Sequence, residues 1–424
     1  MTSRTGTFVF VQLPGSVSPV VAARYELERT AAGPLGRLVY GRSYLERPES
    51  LSLDPVHLPL SEEEFTTTKI GGTFGALRDT APDAWGRMVL ERGRPGRGWT
   101  ELDYLLEASD QRVGALRYGP RPDGPTTRGR LYTIEDLERL GEAAEALQAE
   151  ASGETIPLQG EVADLLDPSS GLGGARPKAS VVDDRGQLWV AKLPARGDRR
   201  VNAVTEGAYL GLAARCGIRV PRSRVLNVAG RPTVLVERFD QAPAPGGETR
   251  RFYLSAHTLL GLDESVLDRQ KWSYLELAHL LRRVSDEPEI DVVELFRRMV
   301  FNALVTNLDD HPRNHAVIGT ATGGWRLSPA FDLVASNAAS TDNRELAMTC
   351  GTLAGRERWG SRVNLVSGCR HFGLTTDAAE SIIDEIKAVV TASWRDEVRT
   401  VGGTEQDCKN IAYAIAYEGF ELDP

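Results

Sequence analysis

Residues 307–314, NLDDHPRN, contain two side chains whose types and spacing suit phosphoryl transfer. Asp309 and Asn314 are five residues apart, the spacing at which a protein-kinase catalytic loop places a hydroxyl-orienting aspartate and a magnesium-binding asparagine. Asp332 follows in SPAFDLV, where a kinase-like site has its main metal ligand. Because Mg²⁺ prefers hard oxygen ligands, the three side chains together predict a metal-assisted phosphoryl-transfer site.

An aspartate and an asparagine at this spacing are also common in ordinary loops, where their side chains stabilise turns. A polar loop after a buried helix is therefore the alternative interpretation of residues 307–314. Further candidates upstream, in the chain order of a kinase, favour phosphoryl transfer.

Residues 169–178, SSGLGGARPK, form a glycine-rich segment just before a predicted β-hairpin. Glycines permit positive φ and let backbone N–H groups approach a phosphate closely. The spacing differs from that of a Walker A loop, and no helix follows as a dinucleotide-binding motif requires. The segment is either a loop that covers phosphates or a flexible linker.

Lys192 ends the predicted strand LWVAK, where an ammonium group among apolar neighbours needs a partner. A nucleotide phosphate and Glu206, on the next predicted helix, would supply that partner. The alternative is a lysine at a strand end that extends its ammonium group to solvent.

The sequence VERFD, with Glu237, Arg238 and Phe239, ends a later predicted strand. This is the position of a hinge between two lobes, where adenine commonly contacts backbone groups. A surface ion pair between Arg238 and Asp240 is the alternative interpretation.

The elements that must position these residues follow from periodicity and turn signals. Short β-rich runs separated by Pro and Gly predict an antiparallel sheet within residues 7–40. The later predictions are helices at 82–92, 100–108 and 133–151, a loop at 121–130, a hairpin at 179–192, a helix at 203–216, strands at 223–228 and 233–237, and helices at 273–284, 292–306, 377–392 and 406–417. The pattern indicates a mixed α and β protein.

Composition excludes several classes of protein. The 424 residues include 50 Lys and Arg against 59 Asp and Glu, a net charge of -9 that excludes wholesale coating of nucleic acid. Four cysteines lie far apart, so we expect free thiols and no zinc site. The early apolar run is too short for a signal peptide or a membrane span, so we expect a cytoplasmic protein without membrane association.

With these residues in place, the chain closely resembles the HipA family of bacterial serine/threonine kinases, toxins of type II toxin–antitoxin modules. The matching motifs are GALRDTAPDAWGR, LLEASDQRVGAL, GGARPK, WVAKLP, EGAYLGLAARCGIRVP, VERFD, NLDDHPRN and WRLSPAFDL. The resemblance implies an α+β, protein-kinase-like fold of HipA type with two lobes. Its parts would be an N-terminal α+β subdomain at 1–125, a linker and helix at 126–154, a nucleotide-binding lobe at 155–240 and a mainly helical C-terminal lobe at 241–424.

The resemblance also implies roles for individual residues. Asp309, Asn314 and Lys192 would be catalytic, Asn314 and Asp332 would bind Mg²⁺, and Glu237 and Phe239 would frame the adenine of ATP. The residues that would bind the nucleotide are Gly173, Gly174, Ala175, Arg176, Pro177, Lys178, Lys192, Glu206, Glu237, Arg238, Phe239, His311, Asn314 and Asp332.

The family implies phosphorylation of a Ser or Thr on a protein such as an aminoacyl-tRNA synthetase, which inhibits translation and growth. It also implies binding to a HipB-like helix-turn-helix antitoxin, with DNA contacted mainly through that partner. The motifs alone are also compatible with two other functions. One is a small-molecule phosphotransferase of related architecture, and the other is a regulatory module that acts only when bound to an antitoxin.

Overall fold

The structure of the protein is a computed structural model, and it describes residues 4–151, 176–194, 201–336 and 344–422. The strands, in chain order, are β1 Arg4–Gln12, β2 Pro19–Thr30, β3 Gly33–Tyr40, β4 Phe65–Thr67, β5 Leu116–Gly119, β6 Tyr132–Thr133, β7 Lys178–Val182, β8 Leu188–Lys192, β9 Ser223–Val228, β10 Arg231–Glu237, β11 Gln241–Ala244, β12 Gly247–Arg250, β13 Tyr253–Ser255, β14 Ala316–Gly319 and β15 Trp325–Leu327.

The α-helices of the described residues alternate with these strands and become dominant towards the C-terminus. They are α1 Arg42–Leu45, α2 Gly75–Arg78, α3 Ala84–Gly93, α4 Glu101–Glu107, α5 Leu137–Ala151, α6 Val201–Arg215, α7 Ala256–Leu259, α8 Tyr274–Val284, α9 Pro288–Leu304, α10 Arg362–Ser367, α11 Thr376–Thr400 and α12 Glu405–Ile411.

The chain divides into two compact units. The first unit takes its residues from Met1–Arg196, Glu237–Glu264 and Val317–Trp325. The second unit takes its residues from Gly197–Val236, Ser265–Ala316 and Arg326–Pro424.

The first unit begins with an antiparallel sheet in the order β4-β3-β2-β1-β5. Along β2 the side chains of Ala23, Tyr25 and Leu27 are buried, whereas the charged residues between them face outward. This alternation follows from the two-residue period of a strand. The sheet packs tightly at Gly36, where an added Cβ would lie 1.8 Å from the carbonyl oxygen of Gly72.

Helices α3 and α4 of the first unit begin at side-chain caps. Asp83 accepts a hydrogen bond from the Gly86 N–H, and Thr100 forms a capping box with Asp103. Such caps satisfy backbone N–H groups that the first turn of a helix leaves without partners. Local sequence therefore determines where both helices begin. The predicted helices at 82–92 and 100–108 are confirmed.

The hairpin β7–β8 also belongs to the first unit and pairs Lys178 directly with Lys192 across the two strands. Strand β6 runs parallel to β7, with Tyr132 opposite Val181. The two lysines therefore lie on the same face of the hairpin, because cross-strand partners share a face.

In the second unit, helix α9 supplies much of the apolar core. Most of its side chains from Asp291 to Leu304 are buried, and α9 packs against α8 and α11. Helix α6 packs against α11 and is followed by Gly217 at φ 72°, a left-handed conformation that favours glycine. The predicted helices at 203–216, 273–284 and 292–306 are confirmed.

Two predicted elements differ in extent. The helix expected at 377–392 continues to Thr400, and the helix expected at 406–417 ends at Ile411. Beyond Ile411, the carbonyl of Ala414 accepts a hydrogen bond from Thr306, and the Ala416 N–H donates to the carbonyl of Leu304. Because these contacts use backbone groups that a helix would need, the apolar run IAYAIAY does not extend α12.

The segment after the VERFD motif contains a hairpin that sequence analysis did not predict. Strands β11 and β12 pair antiparallel, with Gln241 opposite Arg250. One proline in β11 and one glycine in β12 obscured the strand pattern. Within the described residues, no helix has both the length and the apolar composition that crossing a membrane requires.

Candidate active site

The loop after α9 brings Asp309, His311 and Asn314 together. The His311 N–H donates to the carbonyl of Asp309 at 2.8 Å, and the Asn314 N–H donates to the carbonyl of His311 at 2.8 Å. The Asn314 side-chain amide reaches the Asp309 carbonyl at 3.4 Å. The Asp309 side chain is exposed, whereas Asn314 is buried. The spacing read from the sequence therefore corresponds to a compact turn with an exposed carboxylate.

Ser336 joins this loop to the segment that follows Asp332. Its N–H donates to the carbonyl of Thr306 at 2.8 Å, and its Oγ accepts from the Leu308 N–H at 3.0 Å. Thr306 itself has a positive φ of 56° and donates its hydroxyl to the Ala414 carbonyl at 2.7 Å. Hydrogen bonds on both sides of Ser336 thus tie together the two segments that hold the candidate aspartates.

Asp332 is half-buried and lies between the buried side chains of Phe331 and Leu333. Its φ is 59°, in the left-handed region that residues with a Cβ rarely adopt. Such strain persists only where surrounding contacts impose it, and it is frequent at functional sites.

Contacts on the segment that leads to Asp332 come from α9 and from Arg219, in the segment that follows α6. The Asp291 carboxylate accepts hydrogen bonds from the Leu327 N–H at 2.8 Å and from the Arg326 guanidinium at 2.9 Å. The Ala330 N–H donates to the Arg219 carbonyl at 2.7 Å. Burial opposes ionisation of Asp291, but hydrogen bonds from Arg326, Ser285 and Leu327 prevail and lower the pKa of this carboxyl. The charged Asp291 therefore anchors the strand that leads to Asp332.

Three polar atoms of residues 307–315 are buried without a hydrogen-bond partner among the described residues. They are Oδ1 of Asn307, Nδ1 of His311 and Nδ1 of His315, whose other ring nitrogen contacts Asp310. The His311 ring packs edge-on against Trp272, with ring centroids 6.1 Å apart. Unsatisfied buried atoms are rare in native proteins, and they often mark places where a ligand or water binds.

Among the predicted nucleotide-binding residues of the first unit, Lys192 is half-buried at the end of β8. Its cross-strand partner Lys178 is 4% exposed, and the Lys178 Nζ lies 2.7 Å from Oδ2 of Asp83. Lys178 was predicted to lie in the phosphate-binding loop, and its contact with Asp83 was not predicted. Asp83 could be recognised in the sequence as an aspartate at a helix start, in APDAWGR. Its partner Lys178 could not be predicted, because it is distant in the sequence.

The remaining members of the glycine-rich loop fall into two groups. Gly173, Gly174 and Ala175 lie outside the described residues. Arg176 is half-buried and Pro177 is buried just before β7, where the Pro177 carbonyl accepts from the Leu193 N–H at 2.9 Å. Glu206, which was expected to pair with Lys192, is a buried residue of α6 in the second unit.

The VERFD segment contains a buried ion pair. Arg238 is 3% exposed, and its Nη2 lies 2.7 Å from Oδ2 of Asp240. The guanidinium also donates to the carbonyls of Gln111 at 2.6 Å and Arg112 at 3.0 Å. The ion pair of the alternative interpretation is therefore present, but its predicted surface location is wrong, because both partners are buried.

This pair holds the backbone of the segment in place. Although burial opposes ionisation, the Arg238 guanidinium lowers the pKa of Asp240, whose carboxylate also accepts from the Gly114 N–H at 2.8 Å. The Arg238 N–H donates to the carbonyl of Leu188 at 2.9 Å. The neighbouring side chains of Glu237 and Phe239 are half-buried.

A family model described as HipA-like C-terminal domain matches residues 170–394 of this chain. The chain belongs to the HipA-like family. The matched residues of this HipA-like chain include Lys192, Asp309, Asn314 and Asp332.

Two proteins of Sinorhizobium fredii are similar to the HipA-like chain in sequence. A protein named putative kinase Y4mE is 25% identical over 337 residues, which are 75% of this chain and 76% of that protein. A protein named putative kinase Y4dM is 26% identical over 184 residues, which are 41% of this chain and 40% of that protein.

A solved structure shows the same fold. A chain from the complex of Shewanella oneidensis MR-1 HipA, HipB and operator DNA superimposes with a TM-score of 0.67 and 16% sequence identity. The match covers 99% of this chain and 100% of that chain. The α+β, HipA-type fold that the sequence predicted is therefore confirmed.

Proposed function

We propose that this HipA-like chain is an ATP-dependent protein kinase that transfers the γ-phosphate to a Ser or Thr hydroxyl. The observation that carries the proposal is the compact turn of Asp309, His311 and Asn314, tied through Ser336 to the segment of Asp332. The names of the relatives Y4mE and Y4dM as putative kinases support the same reaction class.

The donor set near this turn fits magnesium. Among the described residues, no group of three His, Cys, Asp or Glu side chains could hold a metal by itself. Magnesium at phosphoryl-transfer sites is usually bound by one or two protein ligands together with substrate phosphates and water. Asn314 and Asp332 would be these ligands, and bound Mg²⁺ would supply charge neutralisation at the phosphates.

The chain's own residues would then perform three tasks. The exposed Asp309 carboxylate would accept a hydrogen bond from the acceptor hydroxyl and orient it for in-line attack. His311 would line the phosphate site, where its Nδ1 has no hydrogen-bond partner among the described residues. Lys192 would neutralise phosphate charge.

Nucleotide binding would involve the remaining candidates. Residues 173–178 would cover the phosphates, and Glu237 and Phe239 would frame the adenine. Arg238 would act indirectly, because its guanidinium is bound by Asp240 and by backbone carbonyls. Lys178 would likewise act through its pair with Asp83.

We also propose a protein substrate, for which an aminoacyl-tRNA synthetase is the first candidate, and a HipB-like antitoxin as partner. The Shewanella oneidensis chain of the same fold comes from a complex with HipB and operator DNA, which supports such a partner. DNA would be contacted mainly through the antitoxin. The proposed domain bounds remain 1–125, 126–154, 155–240 and 241–424.

Transfer of radiolabelled γ-phosphate from Mg-ATP tests the proposal. The wild-type chain, Asp309→Ala and the matched control Asp396→Ala, an exposed aspartate of α11, are each incubated alone and with a bacterial extract. We expect the wild type and the control to label a protein and Asp309→Ala to label none. Label on small molecules only would favour a small-molecule phosphotransferase, and nucleotide binding without transfer would favour a regulatory module bound to an antitoxin.

A further inference from the structure

Next to the exposed Asp309 lies a second carboxylate with the opposite environment. Asp310 is 1% exposed and faces the interior of the second unit. Its Oδ2 accepts hydrogen bonds from Nδ2 of Asn302 at 2.7 Å, from Nε2 of His315 at 2.6 Å and from the hydroxyl of Tyr274. Three donors thus converge on one buried oxygen.

The three donors come from three different parts of the second unit. Tyr274 is the first residue of α8, Asn302 lies near the end of α9, and His315 ends the candidate catalytic loop. Asn302 is itself held by the side chain of Asn307, whose Nδ2 donates to Oδ1 of Asn302 at 3.1 Å. One carboxylate therefore fastens the loop to both helices.

The donors are suited to a charged acceptor. Burial raises the pKa of Tyr274 well above its ordinary value, and the adjacent Asp310 raises it further, so the hydroxyl keeps its proton and donates. The rings of Tyr274 and His315 pack edge-to-face with centroids 5.5 Å apart, which fixes the direction of both donors. Hydrogen bonds to a buried carboxylate are about twice as strong as neutral ones.

We propose that Asp310 is a positioning residue that fixes the loop of Asp309, His311 and Asn314 against α8 and α9. A loop conformation that withdrew Asp310 would leave the buried Tyr274 hydroxyl and the buried Asn302 amide without this acceptor, which is costly. The neighbouring Asp309 is held facing solvent because residue 310 is held facing inward. The catalytic consequence rests on the proposed kinase function, whereas the ordering of the loop does not.

The experiment compares Asp310→Asn, Asp310→Ala and Tyr274→Phe with wild type. The matched control is Tyr417→Phe, which removes another buried tyrosine hydroxyl of the second unit, one that donates to the Gly360 carbonyl at 3.0 Å. Hydrogen exchange of peptides that cover residues 305–316 measures loop order. Phosphate transfer at varied ATP concentration measures kcat and KM separately.

We expect exchange in residues 305–316 to become about tenfold faster or more in the Asp310 and Tyr274 variants, and to stay unchanged in Tyr417→Phe. The kcat should fall about 100-fold in Asp310→Ala and about tenfold in Asp310→Asn, which keeps an acceptor oxygen, at unchanged KM for ATP. If Asp310→Ala does not fold, Asp310→Asn and Tyr274→Phe decide the matter.

Unchanged exchange in Asp310→Asn and Tyr274→Phe would overturn the proposal. So would a loss of activity that appears equally in Tyr417→Phe, because that pattern indicates general destabilisation. A wild-type chain that transfers no phosphate would contradict the proposed function, and the exchange measurement would still decide whether Asp310 orders the loop.

Discussion

At the scale of single residues, the contrast between neighbouring charges assigns their tasks. Asp309 is exposed and Asp310 is buried, so the carboxylate of Asp309 is available to a substrate and that of Asp310 is committed to the protein interior. The two lysines show a similar contrast: Lys192 is half-buried, whereas Lys178 is buried against Asp83. Residue type and spacing alone do not separate the members of either pair, because burial depends on contacts distant in the sequence.

The positive φ of Asp332 makes one substitution especially informative. Asn tolerates the left-handed region and keeps the side-chain shape, but it lacks the negative charge that would bind Mg²⁺. We expect Asp332→Asn to slow phosphate transfer by at least about 100-fold and to leave the thermal unfolding temperature close to wild type. Wild-type transfer rates at saturating Mg²⁺ would contradict the proposed metal role.

We expect removal of the Lys178 charge to destabilise the protein, and removal of the Asp83 charge as well to restore most of its stability. Lys178→Met leaves the Asp83 charge buried and unpaired, so the free energy of unfolding should fall by about 3–5 kcal/mol in urea titrations. Adding Asp83→Asn should restore most of this loss, because Asn removes the charge and still caps α3.

The half-buried Lys192 provides the comparison. Lys192→Met should change the free energy of unfolding by no more than about 1 kcal/mol and should weaken ATP binding instead. Equal destabilisation by both lysine substitutions would contradict the distinction between a structural and a ligand-binding lysine.

At the scale of elements, a close backbone contact in the N-terminal sheet leaves no room for a side chain at Gly36. An added Cβ at Gly36 would lie 1.8 Å from the Gly72 carbonyl oxygen, whereas one at Gly93 of α3 would meet nothing within 4 Å. We expect Gly36→Ala to lower the free energy of unfolding by about 2 kcal/mol or more, and Gly93→Ala to change it little or raise it slightly. Urea unfolding curves of the two variants check this, and similar curves would count against the contact.

Elements with local signals could be predicted from the sequence, and elements set by distant contacts could not. Asp83, Thr100 and Gly217 mark helix ends by their own chemistry, so α3, α4 and α6 appeared where expected. Helix α12 ended early because Thr306 and Leu304, far away in the chain, bind its next backbone groups. The order of the candidate site residues along the chain could be predicted from the sequence. The contact of Tyr274 with the loop could not, because Tyr274 and Asp310 are distant in the sequence.

At the scale of the whole molecule, the four cysteines report on global unfolding. All four are free, as the sequence predicted, and all four are buried. Burial raises the pKa of Cys216 to about 12, so almost no thiolate forms at neutral pH. We expect a thiol reagent to modify the native chain very slowly and to label four cysteines in denaturant, as measured by intact mass. Rapid native labelling would show that local opening exposes these sites.

The contact between Asp83 and Lys178 also has an evolutionary consequence. The family model begins at residue 170, so Lys178 belongs to the matched segment, whereas its partner Asp83 lies well before that segment. A relative that replaced Asp83 by a neutral residue within the same fold would retain a buried lysine without this counter-charge, at a cost that selection would act on. Residues 83 and 178 should therefore change together among relatives, and a neutral residue at 83 should be accompanied by a neutral residue at 178.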